Sequence, residues 1–275
     1  MPIIFETTFD DANFPTVRAT GIHWEQTVDG LSDAVVGQVG DGITGQSDDT
    51  TTLGAGEQIL SAANNPAGGG GKGQRHWVGD GTNQTSGGLT LQWSGVPELW
   101  LRYYIRFQSG FTWGPGDNGG YIKTIYCNVG GVPGTFYFGL NHGVIGGHVE
   151  VDDTGGTGNH QSSVTWADWQ GGSTGDGLFH CLEVHAKMNT AGALSDGVFE
   201  FWLDGTLLYS DSTVHFANTD GATFSATTIG SNSSNPQNGG VDVFVDFDDI
   251  VISDSGYIGP IAAASTDSRS VMFLG

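Results

Sequence analysis

The sequence predicts an all-β chain, a two-sheet antiparallel jelly-roll sandwich, on three observations. Glycine is abundant, with 47 residues, beside 15 Phe, 8 Trp and 7 Tyr. Aromatic and β-branched side chains suit a pleated, half-buried surface, and glycine suits the tight turns between strands. No stretch holds apolar residues at helical spacing over a dozen positions, and none approaches the ~18 uninterrupted apolar residues of a membrane span.

The third observation is the recurrence of strand-like runs between Gly, Asn, Asp and Ser turns. In order they are Ile3–Phe9, Leu89–Trp93, Leu99–Phe107, Tyr121–Asn128, Thr135–Leu140 and His148–Val151. Phe179–Met188, Val198–Leu203, Thr206–Ser210, Thr227–Ile229 and Val241–Ser253 follow. Many strands without helices imply a sandwich or a barrel. One domain over residues 1–261 is expected, with long loops around 41–88, including GGGGKG at 68–73, and around 152–177, including Trp166 and Trp169. Residues 262–275 read as a C-terminal extension. Its apolar end, Val271, Met272, Phe273 and Leu274, is a liability in water, so it is expected to bury against a neighbouring subunit or partner protein, with its own domain as the alternative dock.

Thirty acidic residues against eight basic ones give a formal net charge of −22. That excludes nucleic acid as a partner, because phosphate binding needs a basic surface; no membrane partner is expected either. Self-repulsion that keeps the chain soluble accounts for most of the acidity. Cys127 and Cys181 are too few for a disulfide framework, and whether they pair is open. MPIIFETTFDD lacks the basic and apolar regions of a signal peptide, so none is expected in this chain, and the expected setting is extracellular or a virion surface.

Side chains alternate across a strand, which divides LWLRYYIRF into a core face (Leu99, Leu101, Tyr103, Ile105, Phe107) and an outer face (Trp100, Arg102, Tyr104, Arg106). CLEVHAKM divides likewise, with Leu182, Val184, Ala186 and Met188 inward and Cys181, Glu183, His185 and Lys187 outward. In VFEFWL, Phe199, Phe201 and Leu203 face the core, and Glu200 and Trp202 face away. Aromatic faces stack on sugars and Arg forks pair with carboxylates or sulfates, so Trp100, Arg102, Arg106, Lys187 and Trp202 are the candidate glycan-binding residues. If Arg102, Arg106, Lys123 and Lys187 share a sheet they form a cationic strip suited to a uronan; the other reading pairs them with nearby Glu and Asp across strands. One concave surface carrying Arg102, Tyr104, Arg106, Lys123, His185 and Trp202 is expected on the first reading.

Three stretches carry a family resemblance. MNTAGALSDGVFEFWLDG (Met188–Gly205) resembles the N-T-x-G…D-G-x-x-x-x-W-x-D-G hairpin of polysaccharide lyases with a concanavalin A-like, lectin-like jelly roll, of the alginate- and glucuronan-lyase type. RYYIRFQSGFTW resembles their R-Y-x-x-x-F…F-x-W strand and turn, and FDDIVIS their closing strand. The resemblance covers Leu99–Ser253 and implies a lysine at Lys123, where KTIYCNVG stands in place of their K-L-P-G-L-x-G. A lyase needs a cation for the uronate carboxylate, a base for the C5 proton and an acid for the leaving oxygen. Lys123, His185 and Tyr104 are the catalytic candidates, with Tyr126 beside them; each is also readable as a rim or packing residue.

Asp10–Asp11 and Asp248–Asp249 approach each other if the first and last strands pair. Asp10, Asp11 and Asp249, with Glu6, then offer oxygens to a structural Ca²⁺; the other reading is independent surface carboxylates. The function expected first is a glycan-binding or surface-display protein in a larger assembly, such as a phage virion decoration or fibre. Polysaccharide or cell-surface glycan and neighbouring subunits are its partners. The alternative is a polysaccharide lyase that cleaves a uronic-acid polymer by β-elimination.

Overall fold

Alternating aliphatic and aromatic side chains bring two sheets face to face in the computed structural model, which describes residues 3–9, 26–27, 35–38, 57–69, 71–79, 89–112, 121–130, 134–141, 145–151, 156–230, 233–234 and 243–262. Its strands begin β1 (Ile3–Thr7), β2 (Gln26–Thr27), β3 (Val35–Gln38), β4 (Glu57–Leu60), β5 (Gly73–Gly79), β6 (Leu89–Val96), β7 (Glu98–Phe107), β8 (Tyr121–Gly130) and β9 (Gly134–Asn141). They continue β10 (Ile145–Val151), β11 (Gly156–Gln161), β12 (His180–Lys187), β13 (Gly197–Leu203), β14 (Thr206–Val214), β15 (Thr223–Ile229), β16 (Ser233–Ser234) and β17 (Val243–Ser253). An eight-stranded sheet runs β14-β13-β12-β7-β17-β5-β4 with β1 on β17, and a nine-stranded sheet runs β11-β10-β9-β8-β15-β6-β3-β2 with β16 on β8. This is an antiparallel jelly-roll sandwich.

The core faces are those set by the alternation. Leu99, Leu101, Tyr103, Ile105 and Phe107 of β7, Leu182 and Val184 of β12, and Phe199 and Phe201 of β13 are all buried. Ile125, Cys127, Phe138, Phe224 and Ile229 meet them from the nine-stranded sheet. Phe138 and Phe201 cross the interface with ring centroids 5.0 Å apart, and the Tyr103 hydroxyl lies 2.6 Å from Thr124 Oγ1. Each such side chain is worth roughly 1.5–3 kcal/mol of burial.

Both stretches expected as loops contain regular structure. β4 and β5 lie within 41–88; their inward residues Gln74 and His76 are polar yet fully buried, which hides the strand from a hydrophobic pattern. Gln74 Nε2 donates to the Ile229 carbonyl, 3.2 Å away on the opposite sheet. Within 152–177 stand β11 and a helix, α1 (Trp166–Gln170). A capping box between Thr165 and Asp168 starts α1, and Gly171, at φ 67°, ends it. Five residues are too few for a helical period to show, but they set Trp166 and Trp169 against Phe107, with centroids at 4.7 and 5.9 Å. Cys127 and Cys181 are buried on different sheets and both are free thiols, each pushed up to about 12 by burial.

β17 organises the eight-stranded sheet. One side pairs with β7 along its length; the other pairs with β5 over Val243–Phe247 and with β1 over Ile250–Ser253. The changeover falls at a bulge where Asp249 adopts φ 49°. First and last strands are therefore neighbours, as expected.

Candidate functional site

Five of the outward residues expected to face a glycan, Trp100, Arg102, Arg106, Lys187 and Trp202, do lie on one face, the outer face of the eight-stranded sheet. Their neighbours within the chain engage them. Asp246 of β17 stands directly between Arg106 of β7 and Arg75 of β5. Its fully buried carboxylate accepts Arg75 Nε at 2.7 Å, Arg75 Nη2 at 3.0 Å and Arg106 Nε at 3.0 Å. Arg106 Nη2 reaches Asp246 and the Ala62 carbonyl, and its guanidinium lies over Phe179. For Arg106 the cross-strand ion pair is the observed state.

The next row is covered by the chain itself. After β17, residues 254–262 turn back across β7 and β12 as a strap. Buried Glu183 accepts the Ile258 and Gly259 amides at 2.7 and 2.8 Å, and Tyr104 Oη accepts the Ile261 amide at 2.8 Å. Arg102 Nη1 donates to the Gly259 carbonyl at 3.1 Å, and Nη2 to the Asp249 carbonyl at 3.3 Å. Tyr257 packs on Trp202 and Trp100, with centroids at 5.2 and 6.4 Å. Burial pushes the Tyr104 hydroxyl up to about 12, a poor base at neutral pH. It also raises the Glu183 carboxyl, although the two amides and Arg102 pull the other way.

His185 is equally fixed. Its Nδ1 lies 2.9 Å from Glu200 and its Nε2 2.9 Å from Glu98, while Trp100 stacks on the ring at 3.8 Å. Lys187, half-exposed, approaches Glu98 at 3.8 Å.

Of the expected calcium ligands, Asp10 and Asp11 lie outside the described residues. Asp248 and Asp249 stitch a loop to the bulge of β17. Asp248 Oδ2 accepts the Asn65 amide at 2.6 Å, and Asp249 Oδ2 accepts Asn65 Nδ2 at 2.6 Å. A Cβ on Gly68 would stand 2.0 Å from Asp249 Oδ1, so only glycine fits there. Among the described residues no three acidic, His or Cys side chains gather to hold a metal. The tail residues Val271, Met272, Phe273 and Leu274 also lie outside the described residues.

Lys123 departs from the expected grouping. It stands on β8, in the nine-stranded sheet, so it shares no sheet with Arg106. Its ladder partner is Gly139, which in turn pairs with Gly146. A register shift follows between Lys123 and Ile125, and both Thr124 and Ile125 are buried. Three positions on, Tyr126 belongs to a continuous cross-strand row, Thr90–Thr228–Tyr126–Tyr137–His148–Asn159, carried by β6, β15, β8, β9, β10 and β11. Tyr126 and Thr228 are half-buried and Asn159 exposed, whereas on either side of Tyr126 the pair Thr227–Cys127 and the row Ile229–Ile125–Phe138 are buried in the core. Directly paired positions share a face, and the side chains of Tyr126, Thr228 and Asn159 lie on the outer face. Tyr137, His148 and Asn159 escape a reading of single strands because only the register aligns them.

No family model and no curated protein matches the sequence. Solved structures do match. An endo-β-1,4-glucuronan lyase from the fungus Trichoderma reesei aligns over 72% of this chain and 87% of its own, at 11% identity and a TM-score of 0.53. The chain has the jelly-roll fold of that enzyme. The binding domain of botulinum neurotoxin serotype C1 aligns over 82% of this chain and 45% of its own, at 12% identity and a TM-score of 0.50. An alginate lyase solved with an alginate tetrasaccharide aligns over 66% and 80%, at 18% identity and a TM-score of 0.46.

Proposed function

We propose that the chain binds a polysaccharide along the outer face of its nine-stranded sheet. The observation that carries the reading is the Tyr126–Tyr137–His148–Asn159 row, with Lys123 beside it at a pair of glycine positions. Six strands at about 4.8 Å spacing make a row of about 24 Å, the length of an oligosaccharide rather than of one sugar. Tyrosines supply stacking faces with polar tips, and Asn and Lys supply donors. The shared fold with a glucuronan lyase supports a glycan as the ligand class, and the occupied outer face of the other sheet favours this one.

β-Elimination is the second reading, favoured by the residue types in that row. Lys123 would neutralise a uronate carboxylate, and His148 with Tyr126 or Tyr137 would take the C5 proton and protonate the leaving oxygen. Incubation with polyglucuronate and alginate separates the readings, because elimination alone creates an unsaturated product absorbing near ~235 nm. Retention on immobilised uronan without absorbance gain is expected of a binding module. A gain that Lys123→Ala lowers about 100-fold or more is expected of a lyase. No retention and no product by the wild-type chain would remove both.

Within this proposal the protein works at an extracellular or particle surface, as an assembly component joined through Val271–Leu274. Deleting Ser270–Gly275 should leave uronan retention intact but yield a monomer by light scattering. An unchanged oligomeric state would remove the assembly role.

A further inference from the structure

One imidazole joins a hairpin turn to the segment that leads into β12. Asp204 and Gly205, the two residues between β13 and β14, take positive φ, 48° and 81°. A two-residue hairpin turn needs that backbone, and Asp and Gly tolerate it. The bend carries the Asp204 carboxylate to the start of β12, where Oδ1 accepts the Cys181 amide at 2.8 Å and Oδ2 lies 2.8 Å from His180 Nδ1. From the other flank, Asp176 Oδ2 lies 3.0 Å from His180 Nε2. Asp176 is itself fixed: its Oδ1 accepts the Leu178 amide at 2.8 Å, and its own amide donates to Gln170 of α1 at 3.0 Å. The other elements packed on the ring bring no charge. α1 presents Trp169, with centroids 5.1 Å apart, and β7 places Ile105 opposite His180 in the ladder.

A neutral imidazole carries one N–H, so only the imidazolium can donate to both carboxylates. Burial of the ring opposes that charge, but Asp204 and Asp176 outweigh it and hold His180 above its ordinary 6.5. A group raised on folding stabilises in full below its unfolded value, and the contribution is lost as pH climbs through the folded one. When the proton leaves, one carboxylate must give way, and exposure decides which. The Asp204 side chain is 52% exposed and can turn into water, whereas that of Asp176, at 19%, would be left as a largely buried charge.

We propose that His180 is a pH-operated latch on the β13–β14 turn: as an imidazolium it ties Asp204 to Asp176, and as a neutral ring it keeps its proton on Nε2 for Asp176 and releases Asp204. The strap leans on this turn, since a Cβ on Gly205 would stand 3.2 Å from Pro260 Cγ. The end of the hairpin and the seat of the strap are therefore tight in a mildly acidic medium and loose in a mildly alkaline one. The latch does not depend on what the nine-stranded sheet binds.

Histidine-ring NMR and amide exchange on the full chain, between about pH 5 and about pH 9, test it. His180 should titrate above 6.5, and above its transition the ring should carry its proton on Nε2. Protection of the Cys181 amide, corrected for the intrinsic exchange rate, should fall about tenfold across the same transition, the effect of one charge-assisted hydrogen bond. Asp176→Asn should abolish that step. Its Oδ1 still accepts the Leu178 amide, but its Nδ2 now donates to His180 Nε2, so the neutral ring holds its proton on Nδ1 and stays with Asp204. Titration of His180 at or below 6.5, an Nδ1–H ring at high pH in the wild type, or Cys181 protection that ignores pH overturns the proposal. So does a step that survives in Asp176→Asn. The wild-type tautomer and exchange profile suffice to overturn it even if that variant does not fold.

Discussion

Asp246→Ala should cost the fold about 3–5 kcal/mol and lower its melting temperature by on the order of 10 °C. The carboxylate is fully buried and is held by Arg75 and Arg106 at once. Removing it leaves two partly buried guanidiniums on either side of β17 without the carboxylate that joins them. Leaving a buried charge without its partner is the costly event; the intact pair itself contributes far less. Asp246→Asn should lie between, since its carbonyl oxygen still accepts one Arg fork. Calorimetric melts of the three proteins decide it, and a loss below about 1 kcal/mol in Asp246→Ala would show that water replaces the carboxylate.

Glu183→Ala should release the strap. Two backbone amides, Ile258 and Gly259, depend on that carboxylate, and hydrogen bonds to a charged group contribute about 1.5–3 kcal/mol each, so a loss of about 3–6 kcal/mol is expected. Chymotrypsin should then cut at Tyr257, whose packing on Trp202 depends on the same segment. pH gives an independent readout. Burial raises the Glu183 carboxyl above its ordinary 4.5. A carboxyl raised on folding costs stability above its folded pKa, and that cost fades as pH falls toward the unfolded value. The wild-type advantage over the variant should therefore widen from neutral pH down to about 4.5. A constant gap, or a strap as protease-resistant as before, would count against this account.

How far the sequence reads depends on what each residue can reveal. Period-2 alternation correctly assigns Leu101, Tyr103, Ile105 and Phe107 to the core, because an inward apolar side chain is self-announcing. It also assigns Arg102, Tyr104, Glu183 and His185 to the far side. Alternation names the side but not what lies over it. Trp100, Tyr104, Glu183 and His185 are all less than a tenth exposed, because strap, ladder and neighbouring carboxylates close over them. Asp246, whose acid group reads as a surface residue, is invisible as a buried anchor until β5 supplies Arg75, and β5 is itself disguised by Gln74 and His76. On β8 the failure is different. YIKTIYC alternates plausibly, but the register shift after Lys123 breaks the parity, and a strand's place in one sheet or the other is written only in its pairings.

Those pairings also govern how the chain is made. β17 lies inside the eight-stranded sheet, between β7 on one flank and β5 with β1 on the other, and Ile3 meets Ser253. A nascent chain that has produced β1, β5 and β7 cannot close that sheet, since their common partner is still to be translated. The β7 edge, with its Leu-Trp-Leu-Arg-Tyr-Tyr run, waits unpaired through nearly 140 residues of elongation, from Phe107 to Val243. Folding must follow synthesis and must find its most distant contacts late, the regime in which all-β proteins are slow and open edges recruit other chains. Yield from a translating cell should therefore respond to elongation rate and chaperone supply more than to the stability of the finished sandwich.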